Sequence, residues 1–198
     1  MKKMTNIEAV EQLLSSIRGN TKKDIMDRGV ISLMITTWLF PHEICRLKLQ
    51  DFKLINDNIF IKRRESLSMV LPIHQNFTAY IKDHIRNLSI SKIRRDDWFY
   101  QSKKGRIRHG NIVYYNEPSH LRYMIAERCK IAGLPKLSPI EICDLGFIYA
   151  LPKATTLPQI LSILENSNIS RIEIIMRKLE LYNKDEIIKH LRTIEFKQ

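Results

Sequence analysis

A chain of 198 residues with 44% hydrophobic content is long enough for one sizeable domain or two small ones, and its composition is ordinary for a globular protein. Its 33 Lys+Arg against 21 Asp+Glu leave a formal charge of +12, which favours a polyanionic partner, nucleic acid before an anionic membrane surface. The longest apolar run, residues 29–40, is too short to cross a bilayer, and polar residues interrupt any signal-peptide core after Lys2 and Lys3, so a soluble cytoplasmic protein with no membrane role is expected.

In chain order, Thr5 with Glu8 makes a capping box ahead of Ile7, Val10, Leu13, Leu14 and Ile17 at helical spacing, and Gly19-Asn20 stops that helix. Thr21 and Asp24 open a second helix that runs through the apolar block to about Trp38. Pro41 interrupts, and Glu43 to Leu49 reads as another short helix. Asn56-Asp57-Asn58 is a turn. Asn58 to Ile61 and Ser68 to Ile73 read as two short strands flanking Lys62-Arg63-Arg64-Glu65. Gln75 to Leu88 is helical, with Phe77, Tyr80, Ile81 and Ile85 as its inner stripe.

Residues 86–136 hold 12 Lys+Arg against 4 Asp+Glu, including Arg94-Arg95 and the cluster Lys103, Lys104, Arg106 and Arg108. Trp98, Phe99 and Tyr100 lie between the two clusters. A flexible basic loop beside aromatics suits backbone phosphates, because each Lys or Arg contact gains from counterion release. The competing reading is a solvated loop; for Trp98 and Phe99 themselves a core-facing role is favoured.

Residues 137–198 hold 8 Lys+Arg and 8 Asp+Glu, so the whole charge excess falls on residues 1–136. Three helix starts sit close together here: Ser138 with Pro139 and Glu141, Thr156 with Gln159, and Asn183 with Glu186. Ile169, Ile172, Ile175, Met176 and Leu179 recur at helical spacing, and Ser170, Arg171, Arg177 and Lys178 occupy the opposite face. Short helices with small polar and basic side chains on one face suit a helix-turn-helix DNA reader. The same spacing also fits a small helical subdomain with a solvated face. On the first reading Ser167, Asn168, Ser170 and Arg171 meet base edges, Arg177 and Lys178 sit nearer phosphates, and the 103–108 cluster is the supporting clamp.

Cys45, Cys129 and Cys143 are odd in number and widely spaced, which favours free thiols over disulfides or a metal site. The six histidines lack metal-ligand spacing. Gly105 and Gly110 carry no phosphate-loop motif. No cofactor or metal is expected.

Two resemblances add to this. Leu137-Ser138-Pro139 with Glu141, Leu145 and Ile148, then Leu157, Leu161 and Ile163, and finally Arg177-Lys178-Leu179 with Leu181, resemble the C-terminal DNA-binding domain of the LuxR family, without a gap. Leu151 stands where that family has Gly, Pro158 falls inside its scaffold helix, and Asn168 replaces a Val. Thr5 to about Ile175 resembles the short tyrosine recombinases that invert fimbrial promoters. The residues that carry this are Ile44 to Asp51 after the long apolar helix, the strand pair around Lys62-Arg63-Arg64 ending Val-Leu-Pro-Ile, Trp98-Phe99 to Gly105, and Gly133 followed by Ser138-Pro139.

The recombinase resemblance implies a Tyr nucleophile and an Arg pair and His that stabilise a phosphorane-like transition state. At the matching positions this chain has Ile175 for the Tyr, Phe40 and Cys143 for the Arg pair, and Ile140 and Asn166 for His. Only a basic residue of the strand turn persists, as Arg63 or Arg64. Loss of the nucleophile and both cationic clamps removes the electrostatic stabilisation such catalysis depends on. No catalytic residue is therefore assigned, and the chain is not read as an enzyme.

The expected fold is mainly α with a small antiparallel sheet (α+β), like a tyrosine recombinase catalytic domain, with a helix-turn-helix-like C-terminal segment. Residues 1–136 form a basic recombinase-like region. Residues 137–198 either stand as a separate module or pack on residues 22–50 in one integrated domain. Basic body and LuxR-like tail together resemble a regulator encoded with type 1 fimbrial genes, which implies transcriptional repression. The expected partners are promoter double-stranded DNA and another fimbrial transcription regulator. A homodimer is expected of a palindrome reader, although no heptad seam marks one. A protein that docks on a transcription factor through its basic surface is the second reading, and a working recombinase the third.

Overall fold

The structure is a computed structural model that describes residues 7–37, 39–56, 58–63, 66–69, 75–90, 98–101, 105–108, 111–114 and 117–150. Two compact units divide the chain, Met1–Tyr149 and Ala150–Gln198. The division falls at the last residue of the helix opened by Ser138, and the second unit lies, apart from Ala150, outside the described residues.

Helix α1, Ile7–Ser16, places Ala9, Val10, Leu13 and Leu14 in the core, with Ile17 following. Its end is tied by Arg28, whose guanidinium donates to the carbonyl of Gly19 at 2.6 Å and to that of Ile17. Thr21 and Asp24 cap α2, Lys22–Thr37, reciprocally. The Thr21 hydroxyl accepts from the Asp24 N–H at 3.2 Å, while the Asp24 carboxylate accepts the Thr21 N–H at 3.3 Å. From Gly29 to Thr36 every residue of α2 is buried, the pattern of a helix enclosed on all sides. Its hydroxyls turn back on the helix: Thr36 donates to Ser32 O at 2.9 Å and Thr37 to Leu33 O at 2.6 Å.

The sequence predicts a helix from Glu43 to Leu49, and here the structure differs. Pro41 does not interrupt but begins α3, Pro41–Ile44, because the first helical position needs no N–H donor. Glu43 is its third residue and accepts the Phe40 N–H at 2.8 Å. A 3-10 turn at Leu49–Asp51 follows, closed by Asp51, which accepts the Lys48 N–H at 2.8 Å.

Three antiparallel strands come next, β1 Phe52–Ile55, β2 Asn58–Arg63 and β3 Ser66–Met69, in the order β1-β2-β3. The central strand begins where the sequence predicts, at Asn58, and β3 precedes the predicted Ser68–Ile73 segment by two residues. The edge strand β1 is not predicted, because Phe52-Lys53-Leu54-Ile55 shows no polar–apolar alternation. Asn56 turns the chain into β2 at φ 47°, a left-handed conformation that Asn tolerates. Phe52 faces Ile61 and Leu54 faces Ile59 in register; Ile59 and Ile61 are buried.

Helix α4, Gln75–Ile90, sends Phe77, Ile81, His84, Ile85 and Leu88 into the core and packs along α2. The crossing is close at Gly29, where a Cβ would stand 2.6 Å from that of His84. Strands β4, Gly105–Arg108, and β5, Asn111–Tyr114, form an antiparallel pair, so the predicted flexible basic loop is in part a hairpin. Helix α5, Pro118–Ile131, opens on Pro118 and buries Leu121, Met124, Ile125, Arg128 and Cys129. Gly133, at φ 67°, ends it and lets Leu134 N–H return to Cys129 O at 2.9 Å.

Helix α6, Pro139–Ala150, has the predicted capping box. Glu141 accepts the Ser138 N–H at 2.7 Å, and Ser138 Oγ accepts the Glu141 N–H at 3.2 Å. Gly146 lets α6 lie directly on the α2 backbone, where a Cβ would meet the carbonyl of Ile35. All three cysteines are free and buried, as expected. Burial pushes the Cys45 thiol up to about 12 and raises that of Cys129, so neither is a nucleophile near neutral pH. No helix among the described residues is long and apolar enough to cross a membrane.

Candidate nucleic-acid interface

The cations of residues 86–136 do not share one environment. Arg128 is internal: its Nε donates to Asp27 Oδ2 at 2.7 Å and its Nη2 to Asp24 Oδ1 at 2.6 Å. Burial disfavours its charge, but the two carboxylates more than offset that and hold it ionised. Thr21 and Arg128 keep Asp24 below its usual range. Lys23 pairs with Glu127 at 2.7 Å, and Arg86 with Asp83 at 3.6 Å. Arg46, Lys53, Lys62, Arg122, Lys130 and Lys136 are exposed. Arg128 is therefore part of the framework, whereas these side chains, with Arg18 and Lys22, are exposed cations among the described residues.

Within the 103–108 cluster, Arg106 and Arg108 take alternate positions of β4, opposite Val113 and Asn111. Lys103 and Lys104 lie outside the described residues, as do Ser167, Asn168, Ser170, Arg171, Arg177 and Lys178 of the tail. The aromatic run beside the cluster divides. Phe99 and Tyr100 are buried, Phe99 between the Phe52 ring at 4.6 Å and the His84 ring at 4.6 Å. Trp98, expected in the core, is instead half-buried, with the Lys48 ammonium 5.3 Å above its ring. It reaches the surface because Lys48 and Trp98 form an antiparallel bridge and the next residue, Phe99, donates its N–H to Leu47 O at 2.8 Å.

His84 fixes the same segment from inside. Its Nε2 lies 2.7 Å from Phe99 O, and a carbonyl only accepts, so Nε2 carries the proton. Burial lowers its pKa to about 4, and the imidazole is neutral. Helical spacing from Phe77, Tyr80 and Ile81 was the signal that could have placed this histidine on the inner face of α4, unlike the exposed His42.

Two of the positions that the recombinase resemblance assigns to catalysis, Phe40 and Cys143, are linked through Leu39. Phe40 stands just before α3, its ring stacked on that of His42 at 5.7 Å. The Cys143 thiol on α6 donates to the carbonyl of Leu39, the residue before Phe40, at 3.3 Å. Ile140, one turn earlier on α6, is exposed. Arg63 ends β2, and Arg64, Asn166 and Ile175 lie outside the described residues.

The sequence matches no protein-family model and no curated protein. The fold does match solved structures. XerA recombinase aligns over 94% of this chain and 60% of its own, at TM-score 0.64 and 16% identity. XerH site-specific recombinase bound to palindromic difH substrate, a post-cleavage complex, aligns over 94% of this chain and 51% of its own, at 0.60 and 18%. The pre-cleavage XerH complex aligns over 86% and 49%, at 0.59 and 19%. The fold is that of the tyrosine recombinase catalytic domain, mostly helical with small antiparallel sheets, and the chain spans about half to three-fifths of the recombinases it matches.

Proposed function

We propose that this protein is a non-catalytic, DNA-binding transcription regulator built on a recombinase fold, a soluble cytoplasmic repressor of type 1 fimbrial genes. One observation carries the reading. In a chain with the fold of a strand-cutting enzyme, Phe40, Ile140 and Cys143 stand where the resemblance calls for two arginines and a histidine, and the Cys143 thiol is hydrogen-bonded to the carbonyl of Leu39, next to Phe40. Asn166 and Ile175 stand in the sequence at the second His position and at the nucleophile. An Ile forms no phosphotyrosyl bond, and each missing cationic clamp is worth on the order of several kcal/mol to the transition state.

DNA binding survives that loss, because the +12 charge supplies attraction that needs no catalytic group. XerH, solved on its difH substrate, supports a nucleic-acid partner for this fold. The fimbrial role rests on the resemblance to the enterobacterial fimbriae W type of regulator. Promoter double-stranded DNA is the partner, read by a homodimer, with a second fimbrial regulator as its protein partner. A reading in which the protein acts mainly by docking on that regulator draws on the exposed Tyr123 and Ile131 of α5.

The test is a gel shift with fimbrial promoter and random duplex at physiological salt, beside incubation with supercoiled plasmid carrying the promoter. Preferential promoter retardation, with no nicking and no covalent adduct, is expected. A protein–DNA adduct would sink the non-catalytic reading, and equal retardation of both duplexes the regulatory one.

A further inference from the structure

Arg46 and Lys48 belong to neither the 103–108 cluster nor the tail. Arg46 is exposed, Leu47 buried and Lys48 half-buried, so both cations leave the core on either side of an anchored Leu47. The backbone beneath them is fixed on two sides: Lys48 N–H is held by Asp51, and Leu47 O accepts Phe99 N–H. The Lys48 side chain is itself held, since its ammonium lies over the Trp98 ring. A free surface lysine gives up rotamer freedom on being immobilised, and one already laid on an indole gives up less.

Two features say what such cations meet. The carboxylates beside them hold backbone N–H groups, Glu43 that of Phe40 and Asp51 that of Lys48, and among the described residues no carboxylate pairs with Arg46 or Lys48. This contrasts with Lys23, Arg86 and Arg128, which are all ion-paired. Further, none of the large exposed apolar side chains (Leu54, Ile55, Tyr123, Ile131 and Ile140) falls in residues 42–48. A protein interface is built around buried aromatic or aliphatic anchors, whereas a sugar–phosphate backbone asks only for positioned cations.

We propose that Arg46 and Lys48, with Trp98 as the platform that positions Lys48, form a phosphate-backbone contact for duplex DNA on the body of the protein. The contact is separate from those at 103–108 and in the tail. It rests on the DNA-binding reading above, and deepens it by assigning a site that is sequence-independent.

Two measurements on the full chain test it. In the first, a random-sequence duplex is added and amine acylation of each lysine is read by peptide mass spectrometry. Lys48 is expected to be protected at least about threefold. In the second, affinity is measured between 50 and 200 mM salt for wild type, Arg46→Gln/Lys48→Gln and Trp98→Ala. Each phosphate contact contributes about 0.9 to the salt slope, so the double variant should show a slope shallower by about 1.8. Trp98→Ala keeps both charges, so its slope should stay near wild type while affinity falls two- to threefold. If duplex protects other lysines but leaves Lys48 as reactive as in the free protein, or if the double variant keeps the wild-type slope, this site is wrong and DNA binding stands. If the wild type retards no duplex even at 50 mM salt, both fall together.

Discussion

Arg128 and Asp27 join α5 to α2 through the interior, Nε to Oδ2 at 2.7 Å, with the Asp27 side chain fully enclosed. Burial raises the Asp27 carboxyl above its ordinary range, and Arg128 opposes that shift from 2.6–2.7 Å. Arg128→Leu removes the counterion and leaves the acid buried, which costs about 3–5 kcal/mol, whereas replacing both partners by apolar residues of similar volume is far milder. Urea denaturation should therefore show a large fall in midpoint for Arg128→Leu and recovery of most of it in Asp27→Leu/Arg128→Leu. Equal losses in the single and double variants would show that the pair is not the source of the effect.

Gly146 and Ile35 set how closely α6 approaches α2. A Cβ at 146 would collide with the Ile35 carbonyl and stand 2.7 Å from Ile35 Cα. Both obstacles are backbone, so no rotamer change relieves them. Gly146→Ala should destabilise by about 1–3 kcal/mol, the range for overpacking, even though Ala is the better helix former. Thermal melting checks this, and a variant as stable as wild type would mean that α6 does not pack on α2 at this distance.

His84 makes stability depend on pH in a defined direction. Its folded pKa of about 4 lies below the ordinary 6.5 because burial excludes the charged form. Below pH 6.5 the unfolded chain takes up a proton that the folded chain refuses, so stability is lost as pH falls from about 6.5 to 4 and the effect levels off below that. The full span corresponds to about 3 kcal/mol. His84→Gln, which can still donate to Phe99 O, should flatten this part of the curve in denaturation between pH 7 and 4. An unchanged slope would place the proton uptake elsewhere.

The capping boxes of Thr21/Asp24 and Ser138/Glu141, the buried thiols and the stripe of α4 were all legible in the sequence, because each depends on neighbours within one or two turns. Strand β1 was not, since an edge strand half open to solvent carries no strict alternation. Nor was the sorting of cations. Arg128 and Lys130 look alike in the sequence, and only the fold brings Asp24 and Asp27 to the first of them. The same reason hides the Lys48–Trp98 pair, whose members are fifty residues apart. The hydrogen bond from Cys143 to the carbonyl of Leu39, 104 residues earlier, is likewise beyond local spacing.

The last prediction separates attraction from reading. The tail carries no net charge, while the 103–108 cluster sits in the part of the chain that holds the whole excess. Arg106 and Arg108 lie on a strand paired in register with β5. Neutralising Lys103, Lys104, Arg106 and Arg108 should weaken promoter and random duplex alike and flatten the salt slope by up to about 3–4, one step per phosphate lost. Arg171→Ala should instead weaken promoter binding by about 1–3 kcal/mol, leave random duplex nearly unchanged and lower the slope by no more than about one. Fluorescence anisotropy on both duplexes across a salt series reads the two effects separately. If the two changes lowered affinity for both duplexes to the same extent, the tail would be one more phosphate contact and base reading would have to lie elsewhere in the chain.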